Sequence, residues 1–239
     1  MKKSFLSLMT FLSLAVYAQD NKVMTDVNAT VRTLNSSFTG LSVSSGIQLY
    51  LTQGNEASLA VSAADEKHLA RLTTTVENGM LKIYYDNNGV TWTSNENRKL
   101  KAYVSFKTLE KLSASSGAEV TVKGEMVVEN LDMKFTSGAG ITGVMNAKQL
   151  TVEQNSGSKI SISGKAEKIQ IDISSGAYFK GYDLAVDYCD VKASSGAAVH
   201  ITINKELTAK ASSGGGIRYK GTALIRDINI SSGGVVKKS

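Results

Sequence analysis

Proline is absent from all 239 residues, and the chain holds one cysteine, two histidines and one tryptophan. A single cysteine excludes a disulfide framework and any cysteine-based zinc site, and two histidines leave little for metal or acid–base chemistry. Beyond a short apolar stretch at the start, no segment reaches the ~18 consecutive apolar residues of a membrane span. With 42% hydrophobic and 20% charged residues, the composition is that of a folded chain rather than a disordered one. What is abundant is glycine, 21 in all. With no proline, turns fall to Gly, Asn and Ser, which suggests one turn type used many times.

Residues 1–18 read as a secretory signal peptide. Lys2 and Lys3 form a positive n-region, Phe5 to Val16 a short apolar stretch, and Val16-Tyr17-Ala18 a cleavage site before Gln19. Its removal takes two lysines and no acids, so the net charge of +6 becomes +4. The reading is an exported chain, in a periplasm, on an outer surface or secreted, with no transmembrane span after cleavage. The remaining lysines are interleaved with acids and carry no interleaved aromatics, which argues against nucleic acid as a partner.

The dipeptide Ser-Gly recurs at Gly117, Gly138, Gly157, Gly176, Gly196, Gly214 and Gly233, at intervals of 21, 19, 19, 20, 18 and 19 residues. Such constant spacing is a structural repeat. The preceding residue is always serine: Ser116, Ser137, Ser156, Ser175, Ser195, Ser213 and Ser232. The following residue is always tiny, from Ala118 to Gly234. Glycine supplies a backbone position of positive φ, and serine favours turns. These residues are therefore the expected corner of every repeat.

The flanks alternate with period two, the strand signature. Three residues after the glycine stand Val120, Ile141, Ile160, Phe179, Val199, Ile217 and Val236; five before it stand Leu112, Met133, Val152, Ile171, Val191, Ala209 and Ile228. Four before it the positions are polar, Lys134, Glu153, Asp172 and Lys192 among them. Each repeat reads as two or three short strands that cannot bury one apolar side alone, so repeats must stack. The expected fold is all-β, a single-stranded right-handed parallel β-helix with coils of about 19 residues. Lys134–Glu153 and Asp172–Lys192 become opposite-charge neighbours one coil apart, and the stacked serines are expected to form a hydroxyl ladder.

Residues 37–110 carry the same chemistry less regularly. Ser45-Gly46 repeats the corner. Leu59 and Val61 read as a strand, and Ser62 to Asp65 as a cap for a short helix reaching Leu72. Asn78-Gly79 joins two strands, Asp86–Lys99 is a loop, and Leu100–Phe106 is a further strand. The division expected is a leader over 1–18, an arm or leading strand over 19–36, and a β-helix over 37–239. Within it, 37–110 form irregular first coils or a cap, and 111–239 the regular Ser-Gly coils.

The order of Val43-Ser-Ser-Gly-Ile-Gln-Leu-Tyr-Leu-Thr-Gln-Gly54, Val76-Glu-Asn-Gly-Met-Leu-Lys-Ile83 and Leu109-Glu-Lys-Leu112 leading into the Ser-Gly coils resembles a known family. It is the putative auto-transporter adhesin, head GIN domain family, a domain of unknown function common in Bacteroidetes. The resemblance covers roughly residues 37–235. It implies an exported β-helical protein without an established enzymatic activity. Members often carry Pro before the Leu-Glu-x-Leu segment, where this chain has Thr108, a difference that touches only a local bend.

Several patterns have a simpler reading. Gly138-Ala-Gly-Ile-Thr-Gly143 matches the dinucleotide fingerprint but leads into another strand rather than a helix, and Gly214 to Gly216 is explained the same way. The repeated serines lack a base, since His200 lies in an outward column and His68 on the short helix, both read as surface histidines. Cys189 shares a column with Leu131, Leu150, Ile169 and Leu207 and reads as a buried, inert thiol. Gln154 shares one with Phe135 and Ile173, as a buried amide needing partners or a local distortion. Tyr178, Tyr182, Tyr188, Tyr219 and Trp92 could build an aromatic sugar surface, but their columns do not coincide, and scattered packing is expected.

No catalytic, cofactor or metal residues emerge. The function expected is a non-enzymatic adhesin or envelope-binding module presenting a regular rigid face to a glycan, an envelope polymer or a surface protein. The alternatives are a carbohydrate-active β-helix enzyme, for which Glu119 and Glu125 are the only nearby acids after one corner, and a purely structural periplasmic protein. An uncapped last coil would offer an edge for oligomer formation.

Overall fold

The structure, a computed structural model, describes residues 26–87 and 97–239. The expected leader, most of the 86–99 loop and Trp92 lie outside the described residues. In chain order the elements begin with β1 (Thr30–Arg32), β2 (Gly40–Val43), β3 (Gln48–Gln53), β4 (Ser58–Ser62), α1 (Glu66–Arg71), β5 (Leu72–Glu77) and β6 (Met80–Tyr85). Then come β7 (Lys101–Phe106), β8 (Lys111–Ala114), β9 (Glu119–Phe135), β10 (Gly140–Gln154), β11 (Lys159–Ile173), β12 (Tyr178–Ala193) and β13 (Ala198–Ala211). The last three are β14 (Gly216–Lys220), β15 (Leu224–Ile230) and β16 (Val235–Lys238).

The coils stack in parallel, residue over residue. Ile141 lies between Val120 and Ile160, and Val152 between Met133 and Ile171. This is a β-solenoid of about seven turns, with coils about 19 residues apart. Each full coil is one continuous strand with bends, where two or three short strands were expected. In β9 the buried residues fall into three runs: Val120 and Val122, then Met126 and Val128, then Leu131, Met133 and Phe135. Gly124, at φ 78°, supplies the first bend, and the odd spacing from Val128 to Leu131 marks the second. The β9–β10 register slips at the first bend, between Thr142↔Thr121 and Val144↔Glu125, and runs unbroken through the second.

The one tight corner per coil is a type I′ turn, which needs positive φ at both central residues. Gly157 has φ 70°, and so does its serine neighbour in kind, with Ser156 at φ 52°. All eight Ser-Gly corners, from Ser45-Gly46 to Ser232-Gly233, repeat this geometry. The turn closes locally, as from the Ser158 N–H to the Asn155 carbonyl at 3.2 Å. A ladder then joins the corners: the Gly117 N–H donates to the Ser137 carbonyl at 2.9 Å, Gly138 to Ser156 at 3.0 Å, and so on through Gly214 to Ser232 at 3.2 Å. The expected hydroxyl ladder is thus replaced by a backbone ladder, because the turn aims these peptide groups along the stack. The hydroxyl contacts described at corners, Ser44 with Ser45 and Thr136 with Ser137, both at 3.4 Å, stay within one corner.

At the other end the coil order departs from the chain order. The coil β2–β3 lies between β6–β7 on its outer side and β8–β9 on its inner side. Beyond it, β4 pairs antiparallel with β7, β1 with β4, and β5 with β6. The β5–β6 hairpin turns at Asn78 and Gly79, with φ 51° and 73°. Asp65 caps α1, its carboxylate accepting from the His68 N–H at 2.9 Å.

Candidate functional site

The outward column four residues after each corner glycine runs through Thr121, Thr142, Ser161, Lys180, His200, Arg218 and Lys237. Register extends it through Tyr50 and Tyr103. Short hydroxyl side chains therefore occupy the middle of this face, with aromatic and cationic groups on both sides. A shallow groove of about 390 Å³ follows, lined chiefly by Thr121, Thr142, Ser161, Ser163, Lys180 and Asp183. Its floor needs glycine: a Cβ at Gly143 would lie 2.4 Å from the Cβ of Val122. At Gly140 the Glu119 carboxylate fills the space a side chain would take, 2.3 Å from the Cβ position. Burial raises the Glu119 carboxyl above its ordinary value, opposed by the Lys159 charge. Glu125 instead bonds the Asn146 amide, so the two acids noted after that corner serve different partners.

At one end of the groove three rings converge. The Tyr178 hydroxyl lies 2.8 Å from His200 Nδ1, with the rings edge-on at 5.2 Å. Tyr182 stacks on His200 at 4.9 Å and 10° between planes, and the Lys220 ammonium covers Tyr182 at 4.4 Å from its centroid. Burial lowers the affinity of His200 for a proton, and the Arg218 charge adds to this. Scattered aromatics were expected here, so this is a correction. Between Gly181↔Ile201 and Ala185↔Thr202 the β12–β13 register slips, leaving residues 182–184 as a bulge that carries Tyr182 to His200. The signal was present in the intervals, 20 residues before Gly196 and 18 after it. His200 is half-buried as a result rather than a plain surface histidine. At the far end Tyr50 stacks on Tyr103 at 5.1 Å, and Lys123 covers Tyr50 at 4.9 Å.

The other singled-out residues resolve individually. His68 is buried, correcting its surface reading, because Tyr85 on β6 reaches it with a hydroxyl 2.9 Å from Nδ1. Cys189 is buried between Ile169 and Leu207, which pushes its thiol pKa up. Tyr219 is buried, and Tyr188 lies under the Lys205 ammonium at 5.4 Å. Gly140 opens β10 with no helix behind the glycine pattern, so nothing there meets a pyrophosphate. Lys134 reaches Glu153 at 3.0 Å, and register sets Asp172 beside Lys192. Among the described residues no group of three or more His, Cys, Asp or Glu is placed to hold a metal ion. Among them, too, no helix is long and apolar enough to cross a membrane.

Residues 37–223 match the family described as "Putative auto-transporter adhesin, head GIN domain". That is most of the chain, and the chain belongs to this family. Solved structures share the fold, among them the following three. A putative adhesin from Bacteroides fragilis NCTC 9343 is 17% identical with a TM-score of 0.72, over 90% of this chain and 97% of that one. A putative adhesin from Parabacteroides merdae ATCC 43184 is 16% identical with a TM-score of 0.68, over 90% and 97%. A putative lipid binding protein from Parabacteroides distasonis ATCC 8503 is 16% identical with a TM-score of 0.65, over 90% and 98%. The comparison with curated proteins gives no match.

Proposed function

We propose that this member of the adhesin family is an exported, non-enzymatic binding module that meets a surface polymer along the outward face of β9 to β12. One observation carries the reading: the groove across Thr121, Thr142 and Ser161, edged by the Lys180 amine and the Asp183 carboxylate. Its walls offer hydroxyl donors and acceptors repeated once per coil, with Val122, Val144 and Ile162 between them. Such a surface suits a polyhydroxylated chain laid along the stack, held by many weak hydrogen bonds. The rings beside the groove already stack on one another or on lysine, so they offer no free platform.

The test is a panel of glycans, envelope polymers and surface proteins offered to the purified protein, read by direct binding. A Thr142→Arg, Ser161→Arg variant fills the groove from its outward column and should weaken the selected interaction at least tenfold. Unchanged binding sinks the placement, and depolymerisation of any polysaccharide sinks the non-enzymatic reading. Export is checked separately, by N-terminal sequencing for cleavage before Gln19 and by surface labelling of whole cells.

A further inference from the structure

The two ends of the solenoid are finished differently. At one end the parallel coils give way to antiparallel strands, with β1 paired only to β4 and β5 only to β6. The middle run of β9 is covered there by a side chain: Gln53 Oε1 accepts from the Val127 N–H at 2.7 Å, and Nε2 donates to the Val127 carbonyl at 2.9 Å. At the other end β15 pairs only with β13, and β16 only with β14. Among the described residues no strand lies beyond them, and the Gly233 N–H has no following corner to meet. Columns that are buried in every earlier coil emerge here, with Ile225 38%, Ile228 38% and Ile230 49% exposed. A solenoid end normally carries a polar capping repeat, and an apolar, unpaired edge invites pairing.

We propose that this end is a homodimer interface, in which β15 pairs antiparallel with β15 of a second copy. Two features select that occupant. Head-to-tail stacking would set the parallel last coil against antiparallel strands and the Gln53 side chain, a mismatched edge, whereas the like edge of a second copy matches it. The end is also a ramp, since each coil climbs one strand spacing of ~4.8 Å per turn. Residues 221–223 lie low on it, β15 in the middle and β16 high. A two-fold axis through β15 lays the partner's high strand over the low stretch and keeps the gap even all round.

The side chains choose the register. Opposite residues of an antiparallel pair share a face. Centring the axis on Asn229 sets Ile228 against Ile230 on the inward face, twice by symmetry, and puts Asp227 opposite Ser231. Centring it on Asp227 would oppose two like charges, which is unfavourable. The contact is isologous and closes at two copies.

The experiment is light scattering on the purified protein at tens of micromolar, together with two variants. The expected mass is twice that of one chain. Ile228→Lys with Ile230→Lys should return the single-chain mass while the far-ultraviolet β signature stays. Asn229→Cys should give a covalent dimer on mild oxidation that reductant reverses, whereas the parent chain, whose Cys189 is buried, should not. A single-chain mass for the parent protein overturns the proposal, as do open-ended polymers. A dimer that survives both lysines, or one that Asn229→Cys leaves uncrosslinked, overturns the interface.

Discussion

The hydroxyl of Tyr103 donates to Asp26 Oδ2 at 2.8 Å across 77 residues of chain. Ser62 donates to the same oxygen at 2.8 Å, and Lys101 stands 3.7 Å away. One carboxylate therefore pins the segment leading into β1 onto β4 and β7. Hydrogen bonds from Ser62 and Tyr103 lower the Asp26 pKa, while burial and the Asp26 contact push Tyr103 up to about 12. The stability from Asp26 is present above its unfolded value of ~3.9 and is lost as pH falls through the lower folded one. That from Tyr103 is present below ~10 and is lost as pH rises to about 12. Asp26→Ala should cost about 1–3 kcal/mol in urea unfolding. It should also open residues 26–36 to proteolysis before the coils unfold. Cleavage that appears only with global unfolding would contradict this anchor.

The corners separate backbone conformation from space. A Cβ at Gly157 would meet nothing within 4 Å, yet its φ is 70°. Gly157→Ala should therefore cost about 1–2 kcal/mol through conformation alone, and Gly157→Asn less, since Asn visits this region more readily. Ser156→Gly removes the same strain and should be neutral or stabilising, offset by the greater freedom of the unfolded chain. Thermal melts of the three variants rank these effects. A Gly157→Ala protein as stable as the parent would remove the conformational reading.

The regular coils were legible because their signals are local. Val120, Ile141 and Ile160 alternate with polar neighbours inside a single strand, and the spacing of Ser-Gly counts the coils directly. Asn78-Gly79 carried its own turn. What was not legible depends on residues far apart in the chain. His68 is buried by Tyr85, and β2–β3 is enclosed by strands drawn from both 80–106 and 111–135. The aromatic cluster lay between these extremes. Its bulge left a trace in the coil lengths, but which ring it would bring to His200 follows only from the β12–β13 register.

His200 makes that cluster sensitive to acid. Its imidazole is half-buried, bonded to Tyr178, stacked on Tyr182 and near Lys180 and Arg218 in its own column, with Lys220 beyond Tyr182. Burial and the Arg218 charge depress its pKa, so the folded state resists a proton that the unfolded chain accepts near pH 6.5. The stability contributed is present above that value and lost as pH falls below it. The melting temperature should drop between pH 7.5 and pH 5 by more in the parent than in His200→Phe, and by an intermediate amount in Tyr178→Phe. Equal drops in parent and His200→Phe would show that other groups carry the acid response.

Gln53 covers an otherwise open edge. Besides the Val127 peptide, its Nε2 reaches the Lys107 carbonyl at 3.3 Å, while the Val127 side chain beside it is 57% exposed. Gln53→Ala bares that edge, and Gln53→Glu keeps the acceptor but loses both donor bonds. The site is exposed, so each should cost no more than about 1 kcal/mol in unfolding. Both should raise concentration-dependent association, since an uncovered apolar edge pairs readily. Light scattering that matches the parent at every concentration would show that the amide is incidental.

Gln154 is the one long polar side chain in a column of Phe135 and Ile173, and it is 2% exposed. Its Nε2 donates to the Tyr178 carbonyl at 3.3 Å and to Ser158 Oγ at 3.5 Å, both long, and its Oε1 has no partner among the described residues. A buried acceptor left unpaired costs about 1–3 kcal/mol, and removing both members of a polar pair avoids that cost. Ser158 stands where other coils have Ala118, Ala139 and Ala177, so alanine already fits its column. Gln154→Leu with Ser158→Ala should be neutral to about 2 kcal/mol more stable than the parent. Ser158→Ala alone should destabilise, because it strips a partner from an amide that stays buried. The double-mutant cycle should then show coupling of at least ~0.5 kcal/mol, and strictly additive singles would mean that the amide is satisfied by other means.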